Sequence, residues 1–90
     1  MNREELITVV AARTGLTKKS AEEVLDTIQD TIMDAVRDGD KVTLTGFGAF
    51  LLVERPARKG RNPRTGEIIE IAAHKRPRFV PGKAFRDLAK

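Results

Sequence analysis

The sequence predicts an α+β fold with two N-terminal helices, a three-stranded antiparallel sheet with a long protruding β-hairpin arm, and a short C-terminal helix. Apolar residues first recur at a period of about 3.6, as in amphipathic helices. From residue 42 they alternate with polar residues, as in half-buried strands. We expect a single domain over 1–90, with a helical dimerisation part over 1–39 and the sheet, arm and last helix over 40–90.

Local signals bound the two helices. Asn2 can cap the first helix, because Glu5 follows three residues later as in a capping box, and Gly15 can end it in a left-handed conformation. Thr17 can cap the second helix, which ends at Gly39. The polar face of this helix is acidic and would repel phosphate, so the pair is not interpreted as a DNA-reading helix-turn-helix. The apolar stripe of the second helix is expected to contribute to a dimer core through Val24, Leu25, Ile28 and Ile32.

The rest of the chain predicts strands and turns. Residues 42–45 alternate as a short strand, and longer strands are expected over about 50–59 and about 67–76, joined by a turn rich in Asn, Pro and Gly. Pro56 and Pro77 belong at strand edges, because proline donates no ladder hydrogen bond.

The phenylalanines are expected to be buried. Phe47 lies between two glycines, which favours a tight turn that tucks its ring inward. Phe85 and Leu88 suggest a short helix after Pro81 that also faces the core. Stacking on nucleic acid bases is the alternative for these rings, but their strand and glycine context favours burial. The expected dimer core is completed by Leu44, Phe47, Phe50 and Phe79.

Charge is distributed unevenly along the chain. Residues 1–52 carry 6 basic and 9 acidic side chains, whereas residues 53–90 carry 11 basic and 4 acidic ones. Such a split indicates that one end of the molecule meets a polyanion, although an unevenly charged surface without a partner would look the same. The basic hairpin, residues 53–76, offers few large apolar groups and should project as an arm roughly 33 Å long. Its cations are Arg55, Arg58, Lys59, Arg61, Arg64, Lys75 and Arg76.

Pro63 lies at the predicted tip of this arm. Proline is common in ordinary hairpin turns. Between phosphate-binding arginines, however, a rigid apolar tip can also wedge between base pairs and kink a duplex.

Three segments, 46–50, 60–67 and 77–83, resemble the HU and integration-host-factor family of bacterial histone-like proteins, and the resemblance covers essentially the whole chain. It implies an intertwined dimer whose paired arms enter the minor groove of duplex DNA, with Pro63 at the point of intercalation. It implies DNA contacts by Arg55, Arg58, Lys59, Arg61, Asn62, Pro63, Arg64, Thr65, Lys75 and Arg76 on the arm, and by Lys83 and Arg86 on flanking DNA.

Three positions differ from the usual family pattern. Ala72 replaces a proline, which leaves the stiffness of the returning strand open. Val53 replaces a frequently basic residue, so one arm contact is missing there. Arg3 stands where a lysine is common, and either pairs with Asp26 or touches flanking phosphate.

We therefore expect an HU-type, non-enzymatic protein of the bacterial cytoplasm and nucleoid that bends and compacts double-stranded DNA with little sequence preference. The expected assembly is a homodimer, with a heterodimer with a paralogue as the alternative. No cofactor, metal, membrane or small-molecule substrate is expected, and the lone His74 is a poor metal site without nearby ligands. The open alternatives are a site-specific DNA-bending relative, an RNA-binding basic module, and a scaffold for an acidic protein.

Overall fold

The computed structural model describes residues 1–89, in two compact units that divide between Asp34 and Ala35. In chain order the elements are α1 (Arg3–Thr14), α2 (Lys18–Arg37), β1 (Val42–Leu44), β2 (Gly48–Arg55), β3 (Arg58–Arg61), β4 (Ile68–Ile71), β5 (His74–Pro81) and α3 (Lys83–Asp87). This order confirms the predicted fold class of two N-terminal helices, an antiparallel sheet with a hairpin arm, and a short last helix.

The helix caps are those that the sequence predicts. The side chain of Asn2 accepts a hydrogen bond from the Glu5 N–H at 2.9 Å. Gly15 adopts a left-handed conformation with φ of 74° and closes α1. The Thr17 hydroxyl accepts from the Ser20 N–H at 3.1 Å at the start of α2. These contacts satisfy backbone groups that the ends of a helix leave without intrahelical partners.

The first unit has a small apolar core. Ile7, Ala11 and Ala21 are buried, and Val10 and Leu25 pack against them. Because so few side chains are buried, this core alone stabilises the helices only modestly.

The second unit contains a three-stranded antiparallel sheet in the order β1-β2-β5. Phe50 in the central strand pairs with Val42 on one side and Phe79 on the other. Pro77 lies in β5, an edge strand of this sheet. Proline has no N–H to donate, and it is tolerated there because an edge strand is paired on one side only.

An aromatic cluster lies on one face of this sheet. The Phe79 ring is 4.8 Å from Phe50, 5.4 Å from Phe47 and 6.1 Å from Phe85, measured between centroids. Phe47 turns toward this cluster as predicted but remains 45% exposed. Gly48 has no room for a side chain, because a Cβ there would lie 2.5 Å from the Phe79 ring.

The arm is interrupted at residues 56–57 and 72–73, which we call the joint. This corrects the expectation of two uninterrupted strands. β2 ends at Arg55 and the ladder resumes at Arg58, while the returning chain is interrupted between Ile71 and His74. Pairing keeps the same register across this joint, since Arg55 lies opposite His74 and Arg58 lies opposite Ile71. Pro56 explains one side of the interruption, because it cannot donate to a ladder.

Candidate nucleic-acid interface

The tip of the arm is a turn held by its own hydrogen bonds. The backbone N–H of Asn62 donates to the Glu67 carbonyl, and that of Gly66 donates to the Asn62 carbonyl, both at 2.8 Å. Gly66 has φ of 76°, a conformation that glycine adopts without steric cost. The turn therefore closes the hairpin without packing against other parts of the chain.

The polar side chains at the tip are used within the turn. The Asn62 side-chain oxygen accepts from the Arg64 N–H at 2.9 Å, and the Thr65 hydroxyl accepts from the Glu67 N–H at 3.3 Å. Pro63 and Arg64 are exposed between them. This arrangement presents the proline ring at the extremity of the hairpin.

The predicted cations at the base of the arm are divided between its two faces. Side chains on directly opposed residues share a face, and faces alternate along a strand. Arg55 lies opposite His74, so it shares a face with His74 and Arg76. Lys75 lies on the other face, where its Nζ is 3.5 Å from the Glu54 carboxylate. The structure thus brings Arg55 and Arg76 together and places Lys75 apart from them.

Beyond the joint, the two faces of the arm differ in chemistry. Arg58 and Gly60 lie opposite Ile71 and Ile69, which gives one face an apolar strip. Lys59 and Arg61 lie opposite Glu70 and Ile68 on the other face. These arm cations are exposed, so their charges are available to a partner at the surface.

The remaining predicted contacts lie outside the arm. Lys83 and Arg86 are exposed on α3, which is packed against the sheet by Phe85, with its ring 5.4 Å from that of Phe47. The predicted pair of Arg3 with Asp26 is confirmed, and Arg3 also donates to the Gln29 side chain at 2.7 Å.

Sequence reasoning overlooked Arg78. It lies in β5 opposite Leu51, on the same face as Arg76, and is exposed. The i, i+2 spacing of Arg76 and Arg78 is the signal that would have found it, but the predicted arm ended before this residue.

The expected dimer-core residues are only partly covered in the single chain. Val24 is 46% exposed, Ile28 48%, Leu44 42% and Phe47 45%. Leu25, Ile32, Phe50 and Phe79 have intermediate exposure.

Within the described part of the chain, no group of three or more His, Cys, Asp or Glu side chains is placed to hold a metal ion. Across residues 1–89, no helix combines the length and apolar character needed to cross a bilayer.

Comparison with known proteins gives the family. The family described as bacterial DNA-binding protein matches residues 1–90. DNA-binding protein HU of Geobacillus stearothermophilus is 56% identical over the whole of both chains, and HU 1 of Bacillus subtilis is 56% identical over 97% of this chain and 95% of its own. An Anabaena HU–DNA cocrystal structure matches with a TM-score of 0.85 and 50% identity, over 99% of this chain and 97% of that one. The chain therefore belongs to the bacterial DNA-binding protein family and is of the HU type.

Proposed function

We propose that the protein is an architectural DNA-binding protein of the bacterial nucleoid, in the cytoplasm. As a dimer it binds duplex DNA in the minor groove with little sequence preference, bends it and compacts it, without a covalent step. One observation carries the proposal: a cation-bearing two-stranded ribbon ends in an exposed proline, in a chain of the HU type. The Anabaena relative was crystallised with DNA, which supports DNA as the partner.

Affinity comes mainly from phosphate contacts. The exposed arm cations can follow the backbones on either side of a groove, and Lys83 and Arg86 would hold flanking DNA. Each neutralised phosphate releases counterions. For a dimer that contacts about eight phosphates, the logarithm of the binding constant should fall with the logarithm of the salt concentration with a slope of about −7. Such contacts carry no base information, which accounts for the low sequence preference.

Bending comes from the tip. Minor-groove architectural proteins, HU among them, insert apolar wedges between base steps at a cost of a few kcal/mol per step. Pro63 suits this role because the hydrogen bonds made by Asn62 and Thr65 hold the turn that exposes it. Bending the site adds roughly 1–6 kcal/mol by elastic estimates. In DNA that is already nicked or kinked, less free energy is needed for unstacking and bending on binding.

Dimerisation follows from incomplete burial. The large apolar side chains of the predicted core remain substantially exposed in the single chain, for example Val24 and Ile28 on α2 and Phe47 beside the sheet. A second copy would remove them from water, and small chains commonly gain stability in this way. We propose that the helical part, 1–39, supplies much of this contact within one functional domain.

Equilibrium binding to nicked and intact duplexes of one random sequence, across a salt series, tests the function. We expect nicked DNA to bind more tightly, with steep salt dependence for both, and a second random sequence to bind equally well. Tighter binding to structured RNA, or strong preference for one selected sequence, would contradict the proposal.

Pro63→Ala separates bending from binding. The variant should keep most of its affinity for intact linear duplex, because the phosphate contacts remain. It should lose much of the ability to promote ligase circularisation of short fragments. An unchanged yield of circles would remove the wedge from the mechanism while leaving phosphate binding in place.

A further inference from the structure

A stripe of basic side chains runs along one face of β5 in the body of the protein. His74, Arg76 and Arg78 alternate with Lys75, Pro77 and Phe79, so the first three share a face. The aromatic cluster occupies the opposite face, where the Phe79 and Phe50 rings lie 4.8 Å apart. The stripe consequently points away from the side chains that pack under the sheet.

The residues of β2 that face Arg76 and Arg78 are apolar. Val53 in β2, where the resemblance leads us to expect a basic residue, lies opposite Arg76 on the same face. Leu51 lies opposite Arg78. Directly opposed residues have Cβ atoms about 5 Å apart, well within the length of an arginine side chain. Arg76 therefore places positive charge over the same part of the sheet that a basic residue at position 53 would cover.

The charges of the stripe are not neutralised within the chain. Neither Arg76 nor Arg78 has an ion-pair partner among residues 1–89. Glu54, the acidic residue of β2, lies on the other face and pairs with Lys75. Two exposed, unpaired arginines on one flat face form a local cationic surface, which attracts phosphate.

We propose that Arg76 and Arg78 form a phosphate-binding track that carries DNA from the arm onto the sheet of the body, and that Arg78 is a DNA-binding residue of this chain. The proposal rests on the proposed DNA-binding function and deepens it. The track continues to the base of the arm, where Arg55 lies opposite His74 on the same face and Arg58 lines a recess with both. The base of the arm and the body sheet thus offer one group of cations to the DNA backbone.

The first experiment measures the salt slope of intact-duplex binding for the full-length Arg78→Ala protein. A dimer should lose about two phosphate contacts, so the slope should become shallower by roughly two, with weaker binding to every sequence tested. Arg13→Ala, which removes an exposed charge from α1, is the control and should change the slope by much less. If Arg78→Ala lowers the thermal midpoint, Arg78→Gln makes the same charge change while keeping more of the stem.

A charge transposition tests the register itself. Arg76→Val should make the slope shallower, and adding Val53→Arg should restore it, because the charge returns to the same face across the strand pair. Failure of this rescue, or an equal loss in Arg13→Ala, would overturn the track. The preference for nicked DNA in the unmodified protein reports the proposed function separately, so that function can survive a failed rescue.

Discussion

The body sheet and the arm are both antiparallel and are joined without a shift in register, yet they are stabilised differently. In the body, β2 and β5 carry Phe50 and Phe79, whose rings pack with two further phenylalanines. In the arm, β3 and β4 form a separate two-stranded sheet, and most of their side chains are exposed. An isolated two-stranded ribbon is marginally stable in water. Similar backbone pairing therefore serves both a packed scaffold and an exposed ribbon.

Removing the arm should have the largest effect on DNA binding. Replacing residues 56–73 with Asn-Gly would join Arg55 to His74 through a two-residue hairpin turn. We expect duplex affinity to fall by at least roughly 10³-fold at about 0.1 M salt, because Arg58, Lys59, Arg61 and Arg64 are lost from each subunit. Thermal unfolding should change little, since the aromatic cluster remains.

Fluorescence anisotropy with labelled duplex measures the affinity, and circular dichroism measures the unfolding midpoint. A shortened protein that binds intact duplex nearly as well as the full chain would show that the body, and not the arm, dominates binding. A large drop in the midpoint would show instead that the arm supports the fold.

Two glycines, one in the body sheet and one in the arm, differ in the space available for a Cβ. A Cβ at Gly48 would lie 2.5 Å from the Phe79 ring and 2.7 Å from the Val80 carbonyl oxygen. A Cβ at Gly60 would lie 3.1 Å from Cδ1 of Ile71, the far end of a flexible side chain. Gly48→Ala should therefore destabilise the protein by roughly 1–3 kcal/mol through overpacking. Gly60→Ala, the matched arm variant, should change stability by less than about 0.5 kcal/mol.

Chemical denaturation at fixed protein concentration measures both variants, because the stability of a dimer depends on concentration. Equal losses in the free energy of unfolding for the two substitutions would mean that the arm is packed as tightly as the body.

The packed elements were the easier part to predict from the sequence. Asn2 and Gly15 bound a helix through local backbone chemistry, and alternation of apolar and polar residues marks a strand without knowledge of its partner. The burial of the apolar residues was predicted less well, because Phe47 and Phe85 each remain 45% exposed in the single chain and Leu88 is 83% exposed.

The joint, and the residues that face Arg76 and Arg78 from β2, could not be predicted in the same way. Pro56 signals one missing hydrogen bond, but Ala72 and Ala73 carry no signal for the break opposite it. The pairing of Val53 with Arg76 depends on strand register, which is a long-range property. A sequence shows which side chains lie on the same face of one strand. Only the fold shows which residues of the neighbouring strand lie opposite them.

His74 lies at the boundary between the body sheet and the arm, and its substitution should change DNA binding only slightly. Its Nδ1 lies 3.3 Å from the Ala72 carbonyl oxygen, which can only accept, so Nδ1 carries the hydrogen of that bond. This contact leaves Nε2 as the ring nitrogen available to a partner. Arg55, Arg58 and Arg76 line a recess with His74, and the Glu54–Lys75 pair lies on the other face.

Because the ring lies among three exposed arginines, we expect His74→Ala to weaken duplex binding by about threefold, as for one weak hydrogen bond. His74→Gln keeps a hydrogen-bonding side chain at the joint and should lose less. Anisotropy titrations of both variants and the unmodified protein, at one pH and one ionic strength, make the comparison. Equal losses in the two variants would show that hydrogen bonding by residue 74 contributes nothing to DNA binding.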